Sequence, residues 1–298
     1  MTASPALRYA SAVRILVLVG LWWLALLAGP ALAAPALWSV KGPAGEATIL
    51  GTIHAMPPGL KWLTPGLARR LDAADTLVLE AILPDDPAAL GPIMARYGLL
   101  AAPRPILGRV PVSARPALAK ALAATGMPPA ALDKMKSWLV SILLTQAVLK
   151  EAGLDANSGT ENQVRKRLAG RVKLAELESA EAQFAMLDGL SQADQDKMLA
   201  EAVEDSKAIN RQLRAILKAW RAGNVEVLAR DFAGEGSISP GARRLLLTDR
   251  NARWADWIKT RLAKPGRLVI AVGAAHLGGK DGLIEGLRAR GMKPRRIQ

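Results

Sequence analysis

Two histidines, each closing the same short motif, are the side chains of this sequence best suited to chemistry. His54 ends G-T-I-H (51–54), His276 ends G-A-A-H (273–276), and the 298-residue chain has no other histidine. Each motif follows an apolar run typical of a buried strand, so both imidazoles are expected just beyond strand ends, where α/β sheets present their binding loops. The glycine before each would let the backbone turn sharply or approach a ligand closely.

A carboxylate, Glu80, belongs to the otherwise apolar run 76–83. Such a group is costly there unless it is paired or bound to a metal. His54, His276 and Glu80 would form a three-ligand set for a catalytic divalent metal, with positions left open for water or substrate. The alternatives are structural roles for the two histidines and a salt bridge between Glu80 and a basic side chain.

Three more polar residues are candidates for catalytic roles. Within 245–262 the helical spacing places Asn251 on the apolar face and Arg250 beside it. Arg250 would stabilise an oxyanion or orient a substrate carboxylate, with Asn251 as a hydrogen-bonding support; the alternative is an arginine at the edge of the stripe that snorkels to water. Glu178 follows a predicted strand, as the histidines do, and is a candidate general base.

The segment 152–164 also carries acidic residues, Asp155 and Glu161. Its Asp, Asn and Ser residues are typical of turns and helix caps. A structural role therefore accounts for most of its polar groups.

The elements that must position these residues form an α/β pattern. A hairpin turning at 42–45, a helix from Thr64 and a strand in 76–83 come first, and a mostly helical region spans about 87–262. That region contains one strand, 171–178, and two long helices, in 132–153 and 193–224; a strand at 267–273, a helix and a last short strand follow. We expect an α/β (α+β) fold whose central mixed sheet comes from two separated βαβ-like parts.

The N-terminus has the composition of a secretory signal peptide. Arg8 and Arg14 precede an uninterrupted apolar stretch, 15–28, and Ala31 and Ala33 give a cleavage pattern after residue 33. We expect residues 1–33 to be removed, residues 34–298 to form a single domain, and the protein to be periplasmic or secreted. The alternative is an uncleaved anchor, but the stretch is shorter than the roughly 20 residues a span needs. No later segment is apolar enough to cross a membrane.

Composition excludes several function classes. The chain has no cysteine, which excludes a thiol nucleophile and cysteine-ligated zinc. Its net charge of +14, or +12 without Arg8 and Arg14, suits anionic partners in general. The basic residues are nevertheless spread through helices with acidic residues between them, and few aromatics are available to stack on bases. A nucleic-acid partner is therefore not expected.

The order of motifs resembles the TraB/GumN family, which is related to the Tiki metalloproteases and more distantly to EreA/ChaN-like proteins. The resemblance covers nearly all of the mature chain and rests on the following stretches, in order: ILGTIHAMP, ADTLVLE, GLD at 153–155, LAELESAEAQFAMLDGL, DRNARWADWI and LVIAVGAAHLGGKDGLIEGLRARGMK. It places His54, His276 and Glu80 on the family's histidines and strand glutamate, and Arg250 and Asn251 on its Arg-Asn pair. Asp249 stands where the family usually has Glu.

The resemblance implies an EreA/ChaN-like fold and a metal-dependent protease activity, because Tiki relatives are proteases associated with manganese or cobalt. We therefore expect an exported metal-dependent hydrolase, a peptidase, that uses Mn, Co or Zn on a peptide or protein substrate. ChaN-like relatives bind haem instead. The alternative is a non-enzymatic cell-envelope protein that binds haem, a peptide signal or a polysaccharide fragment in the same cleft.

Overall fold

The computed structural model describes residues 34–84, 86–203, 206–233 and 238–298. The expected signal peptide, 1–33, lies outside the described residues. Within the described residues, one mixed sheet has the strand order β4-β3-β5-β2-β1-β6. Its strands are β1 (Leu37–Lys41), β2 (Gly45–Thr52), β3 (Thr76–Leu79), β4 (Lys173–Glu176), β5 (Gly266–Gly273) and β6 (Arg295–Arg296).

The sheet joins the two ends of the chain through β5. This strand lies between β2 and β3 and runs parallel to both, while β4 is parallel to β3. Strand β1 runs in the opposite direction, because it is antiparallel both to β2 and to the edge strand β6. Strands β2 and β5 are nearly continuous buried apolar runs, as parallel strands covered on both faces require. The expected α/β fold with a mixed sheet is confirmed.

Thirteen α-helices surround the sheet in the described residues. Most of them fall in the predicted helical region between β3 and β5. They are α1 (Pro65–Asp72), α2 (Gly91–Gly98), α3 (Arg115–Ala124), α4 (Pro129–Lys134), α5 (Ser137–Glu151), α6 (Thr160–Leu168), α7 (Ala180–Asp188), α8 (Gln192–Glu201), α9 (Ser206–Arg221), α10 (Val225–Ala233), α11 (Pro240–Arg243), α12 (Asp249–Arg261) and α13 (Leu283–Ala289).

Local signals explain several boundaries. Thr64 caps α1 by accepting from the Leu67 N–H at 3.2 Å, as its position before a proline predicted. The prediction of two long, uninterrupted helices in 132–153 and 193–224 was wrong. The first is divided at Met135, which is extended and bridges to Leu99, into α4 and α5; the second is divided into α8 and α9.

Two hydrophobic clusters stabilise this arrangement. The larger one packs both faces of the sheet against helices and includes Trp220 and Trp254. A smaller cluster lies within the helical region and includes Leu118, Val140 and Leu199. None of the helices in the described ranges is long and apolar enough to cross a membrane.

The parallel strands set the location of the predicted site. Because β2, β3, β4 and β5 all run in the same direction, their carboxyl ends meet at one edge of the sheet. His54, Glu80 and Glu178 each follow one of these strands directly, and His276 follows the fourth through a short 3₁₀ turn, Ala274–His276. The fold therefore gathers the strand-end candidates at a single edge.

Candidate functional site

The two G-x-x-H motifs leave neighbouring strands but take different paths. Gly51 pairs with Val272 and Thr52 with Gly273, so the motifs are offset by one residue in the sheet. After β5 the chain coils into the 3₁₀ turn that buries His276, whose side chain is 8 % exposed. After β2 the chain leaves the sheet without such a turn, and the side chain of His54 is 76 % exposed.

Arg250 occupies the centre of the buried part of the edge. Its Nη2 donates to Glu80 Oε2 at 2.7 Å and also to Glu178, while Nε donates to Glu178 Oε1 at 2.9 Å. Its Nη1 contacts the Leu246 carbonyl and His276 Nε2, both at 3.1 Å. All five N–H donors of the guanidinium are thereby used. The predicted alternative of an arginine that snorkels to water is wrong, because this side chain is 7 % exposed.

Packing holds the guanidinium in this position. Its central carbon lies 4.6 Å from the ring centroid of Trp254, one turn along α12, and the same ring lies 4.5 Å from the imidazole of His276. A cation in contact with an aromatic face is favourable in a desolvated site. Trp254 thus orients the arginine and the histidine together.

Asn251 fixes the ring of His276. The asparagine Nδ2 donates to the Asp281 carbonyl at 2.8 Å, which leaves its Oδ1 to face His276 Nδ1 at 2.7 Å. We therefore assign the proton of the neutral ring to Nδ1 and the lone pair to Nε2, the atom that Arg250 approaches. Burial lowers the pKa of His276 to about 4, with Arg250 adding to the effect and Glu80 opposing it.

Glu80 is ionised and fully engaged. Its Oε1 accepts from the Gly273 N–H at 2.7 Å, and its Oε2 accepts from Arg250. Burial alone would raise its pKa, but His276, which is protonated in the acid range where Glu80 titrates, together with Arg250 and the Gly273 N–H lowers the pKa of Glu80 to about 2. A Cβ at Gly273 would lie 3.2 Å from Glu80 Oε1, so the motif glycine serves close approach to the carboxylate.

His54 has a carboxylate partner that the sequence did not reveal. Its Nδ1 lies 3.0 Å from Glu161 Oε1, and the same oxygen accepts from the Thr52 hydroxyl at 2.5 Å. Glu161 lies in the first turn of α6, and the turn and cap explanation of 152–164, correct for Asp155, missed it. The carboxylate charge and hydrogen bond raise the pKa of His54 above its ordinary value of 6.5, although water around the exposed ring screens the pair.

The start of α6 also fixes the backbone around His54. Ile53 and Thr160 exchange hydrogen bonds, at 3.2 Å to the threonine hydroxyl and 3.0 Å between backbone groups. A Cβ at Gly159 would stand 2.1 Å from the His54 carbonyl oxygen, so only glycine allows this approach. A usable sequence signal was therefore the glycine of G-T-E (159–161), which a helix cap alone does not require.

Comparison with known proteins identifies the family of the chain. The model of the TraB/PrgY/gumN family matches residues 36–296. The chain belongs to this family. It is similar to YbaP of Escherichia coli strain K12 and to YbaP of Shigella flexneri, each 27 % identical over 243 residues that cover 80 % of this chain and 87 % of the relative. Both relatives are uncharacterised by name. No solved structure matches the chain.

The structure brings five of the six predicted site residues into one cluster and leaves the sixth, His54, outside it. Glu80, Glu178, Arg250, Asn251 and His276 form one connected hydrogen-bonded cluster. His54 belongs instead to a pair with Glu161, next to that cluster at the same edge. Among the described residues no three His, Asp or Glu side chains are arranged to hold a metal ion.

The donor chemistry of the edge still suits a divalent metal. Metal-binding histidines usually present one ring nitrogen to the ion and the other to a carboxylate or amide oxygen that orients the ring. Both histidines have such a partner at Nδ1, Glu161 for His54 and Asn251 for His276. In a neutral ring Nε2 would then be the ligand atom; in His276 this nitrogen now faces Arg250 Nη1 at 3.1 Å, a contact that an ion would have to replace. Glu80 adds an ionised carboxylate at the end of β3, on the other side of His276 from His54 in strand order.

Proposed function

We propose that this protein is an exported metal-dependent hydrolase and, within that class, a peptidase. The observation that carries the proposal is the shared orientation of the two histidine rings. Both follow adjacent parallel strands, and each has Nδ1 held by an acceptor, so that Nε2 would be the ligand atom of a neutral ring. The peptidase assignment comes from the resemblance to Tiki proteases, and export from the composition of residues 1–33.

The proposal gives His54, Glu80 and His276 the role of ligands to Mn, Co or Zn. A divalent ion held there would supply Lewis-acid chemistry, activating a water and polarising a carbonyl. Glu161 and Asn251 orient the two rings.

Arg250 and Glu178 take roles that follow from their contacts. With its five donors engaged, Arg250 reaches a substrate oxyanion only by releasing one of them, and the contacts to Glu80 and His276 are the two that a metal ligand set would also require. Glu178 accepts from two nitrogens of the same guanidinium and holds it in place. Glu178 can act as a general base only if this pair opens.

A hydrolysis assay with matched variants tests the proposal. Purified protein is incubated with a mixed fluorogenic peptide library after chelation and after addition of Mn, Co or Zn. We expect cleavage that requires the metal and that falls at least about 100-fold in His54→Ala, His276→Ala and Glu80→Gln, since each removes a ligand. Arg253→Ala, an exposed position on α12, is the control and should retain activity. Metal-independent cleavage, or full activity in His54→Ala, would contradict the proposal.

One observation favours the second candidate, a non-enzymatic binding protein of the cell envelope. The side chains of Glu80, Glu178, Arg250 and His276 are each at most 11 % exposed, and Arg250 contacts the other three. In this form the cluster is a buried hydrogen-bonded network, and of the three predicted metal ligands only His54 is exposed to solvent. Binding of haem with a Soret shift lost in His54→Ala, without hydrolysis of any peptide, would support this candidate instead.

A further inference from the structure

A basic cavity lies at the opposite end of the sheet from the histidines. Its volume is about 750 Å³, within the range of about 300–1,000 Å³ of small-molecule sites. It opens beside the β1–β2 turn and the last turn of α12. Arg250 and Lys259 are nine residues apart on α12, which corresponds to about 14 Å along the helix axis, so the two sites are separate.

The cavity is lined by five cations and no carboxylate. One lies in β1, one in α12, two follow α13 and one lies in β6: Lys41, Lys259, Arg290, Lys293 and Arg295. Arg290 alone is neutralised, by Asp256, which accepts from it at 2.6 and 2.8 Å. The other four make no side-chain hydrogen bond or ion pair with any described residue. Glu46, opposite Lys41 in the hairpin, lines the neighbouring concavities instead.

The ordinary reason for basic residues at such a place does not account for all of them. Two helices, α12 and α13, end here, and each helix C-terminus carries roughly half a negative charge. Together they offset about one cation. Lys41 and Arg295 lie in strands, so neither offsets the negative charge of a helix C-terminus. At least two unneutralised charges remain around one concave space.

We propose that this cavity binds a phosphate group, carried either by a free anion or by a lipid head group. A single carboxylate would leave most of the charge unmatched, whereas a phosphate brings up to two negative charges and three acceptor oxygens. The planar guanidinium of an arginine can donate two hydrogen bonds to one phosphate group. Pro43, Ala263 and Met292 supply an apolar part of the lining, against which the organic part of a phosphorylated ligand packs.

The test uses two double variants of equal charge change. Lys41→Glu/Lys293→Glu alters the cavity, and Lys120→Glu/Lys150→Glu alters exposed lysines on α3 and α5. One arm titrates inorganic phosphate and pyrophosphate by calorimetry. The other measures sedimentation with phosphatidylglycerol vesicles, with phosphatidylcholine vesicles as the uncharged comparison. Urea unfolding of every variant checks the fold.

Binding to either phosphate source supports the proposal if the cavity variant weakens it by about tenfold or more and the control variant by less than about twofold. Phosphate or pyrophosphate binding identifies a soluble anion, and vesicle binding alone identifies a head group. The proposal is overturned if neither probe binds, or if both variants weaken binding equally, since net charge would then explain it. Should the cavity variant unfold, the milder Lys41→Ala/Lys293→Ala variant replaces it in both arms. The methyl resonance of Met292, which lines the cavity, then reports phosphate binding to the wild type by a change in chemical shift.

Discussion

Nδ1 of His54 lies 3.0 Å from Oε1 of Glu161, so the exposed histidine of the pair is oriented by a carboxylate from the start of α6. The buried histidine is oriented by an amide oxygen instead. The two motifs are alike in sequence, but their rings have different electrostatic partners. This difference makes separable predictions for the two sides of the site.

Glu161→Gln should lower the pKa of His54 toward its ordinary 6.5, because the substitution removes the negative charge and preserves the shape. The chain has two histidines, so the imidazole proton resonances of both can be followed by NMR titration. Asp155→Asn, which changes a carboxylate that caps a neighbouring turn, is the control. An unchanged His54 titration in Glu161→Gln would show that the pair does not form.

Arg250→Ala should destabilise the protein by about 3–5 kcal/mol, because it leaves Glu80 and Glu178 buried without a cation. Arg250→Lys should recover only part of this loss, since an ammonium lacks the fork that reaches both carboxylates. Arg253→Ala, exposed on the same helix, should change stability by less than about 0.5 kcal/mol. Urea unfolding measures all three, and equal effects of the two alanine variants would refute the network.

Acid should destabilise the metal-free site in two steps. His276 has its pKa lowered from 6.5 to about 4, so the unfolded chain takes up this proton first and stability falls between these pH values by up to about 1.4 kcal/mol per unit. Glu80, lowered from 4.5 to about 2, contributes stability above pH 4.5 that is lost as the pH falls toward 2. His54 has the opposite sign, and its contribution is lost above pH 6.5.

The decisive comparison for the acid prediction is His276→Gln. The variant should lose the slope between pH 6.5 and 4 while keeping the steeper loss below pH 4.5. Denaturant midpoints at pH 7, 5.5 and 4 are sufficient to measure it. A slope identical to that of the wild type would mean that the pKa of His276 is not lowered in the fold.

Apolar runs and the glycines that follow them predicted most of the strands and the edge of the sheet where the site lies. Apolar runs before Gly51 and Gly273 identified β2 and β5, and parallel strands necessarily share an edge. What they could not show is how the chain leaves each strand. The one-residue offset and the 3₁₀ turn bury His276 and expose His54, and both depend on tertiary contacts such as the close packing of Gly159 on the His54 carbonyl.

The burial of Arg250 also could not be predicted from the sequence around it. Helical spacing placed it beside the apolar face of α12, but its burial depends on carboxylates 72 and 170 residues away in the chain. A π-helical turn, Arg244–Thr248, precedes α12 and changes the spacing that an ideal helix would have. Whether a cation at a stripe's edge snorkels or turns inward is decided by these distant partners.

Asn251→Ala should weaken metal binding about 10- to 100-fold, because His276 would lose the acceptor that fixes its ring. Asn162→Ala, which removes an exposed amide contact to the Ala156 carbonyl, is the matched control. Equilibrium dialysis against labelled metal measures both. Equal affinity in Asn251→Ala and wild type would show that metal binding does not depend on the orientation of His276 by Asn251.

The metal content of the purified protein tests the central claim most directly. After incubation with Mn, Co or Zn and removal of free metal, elemental analysis should give about one ion per wild-type chain and substantially less in His54→Ala and in His276→Ala. Retention of no ion by the wild type, or equal retention by His54→Ala, would contradict a composite site built from the two strand-end histidines.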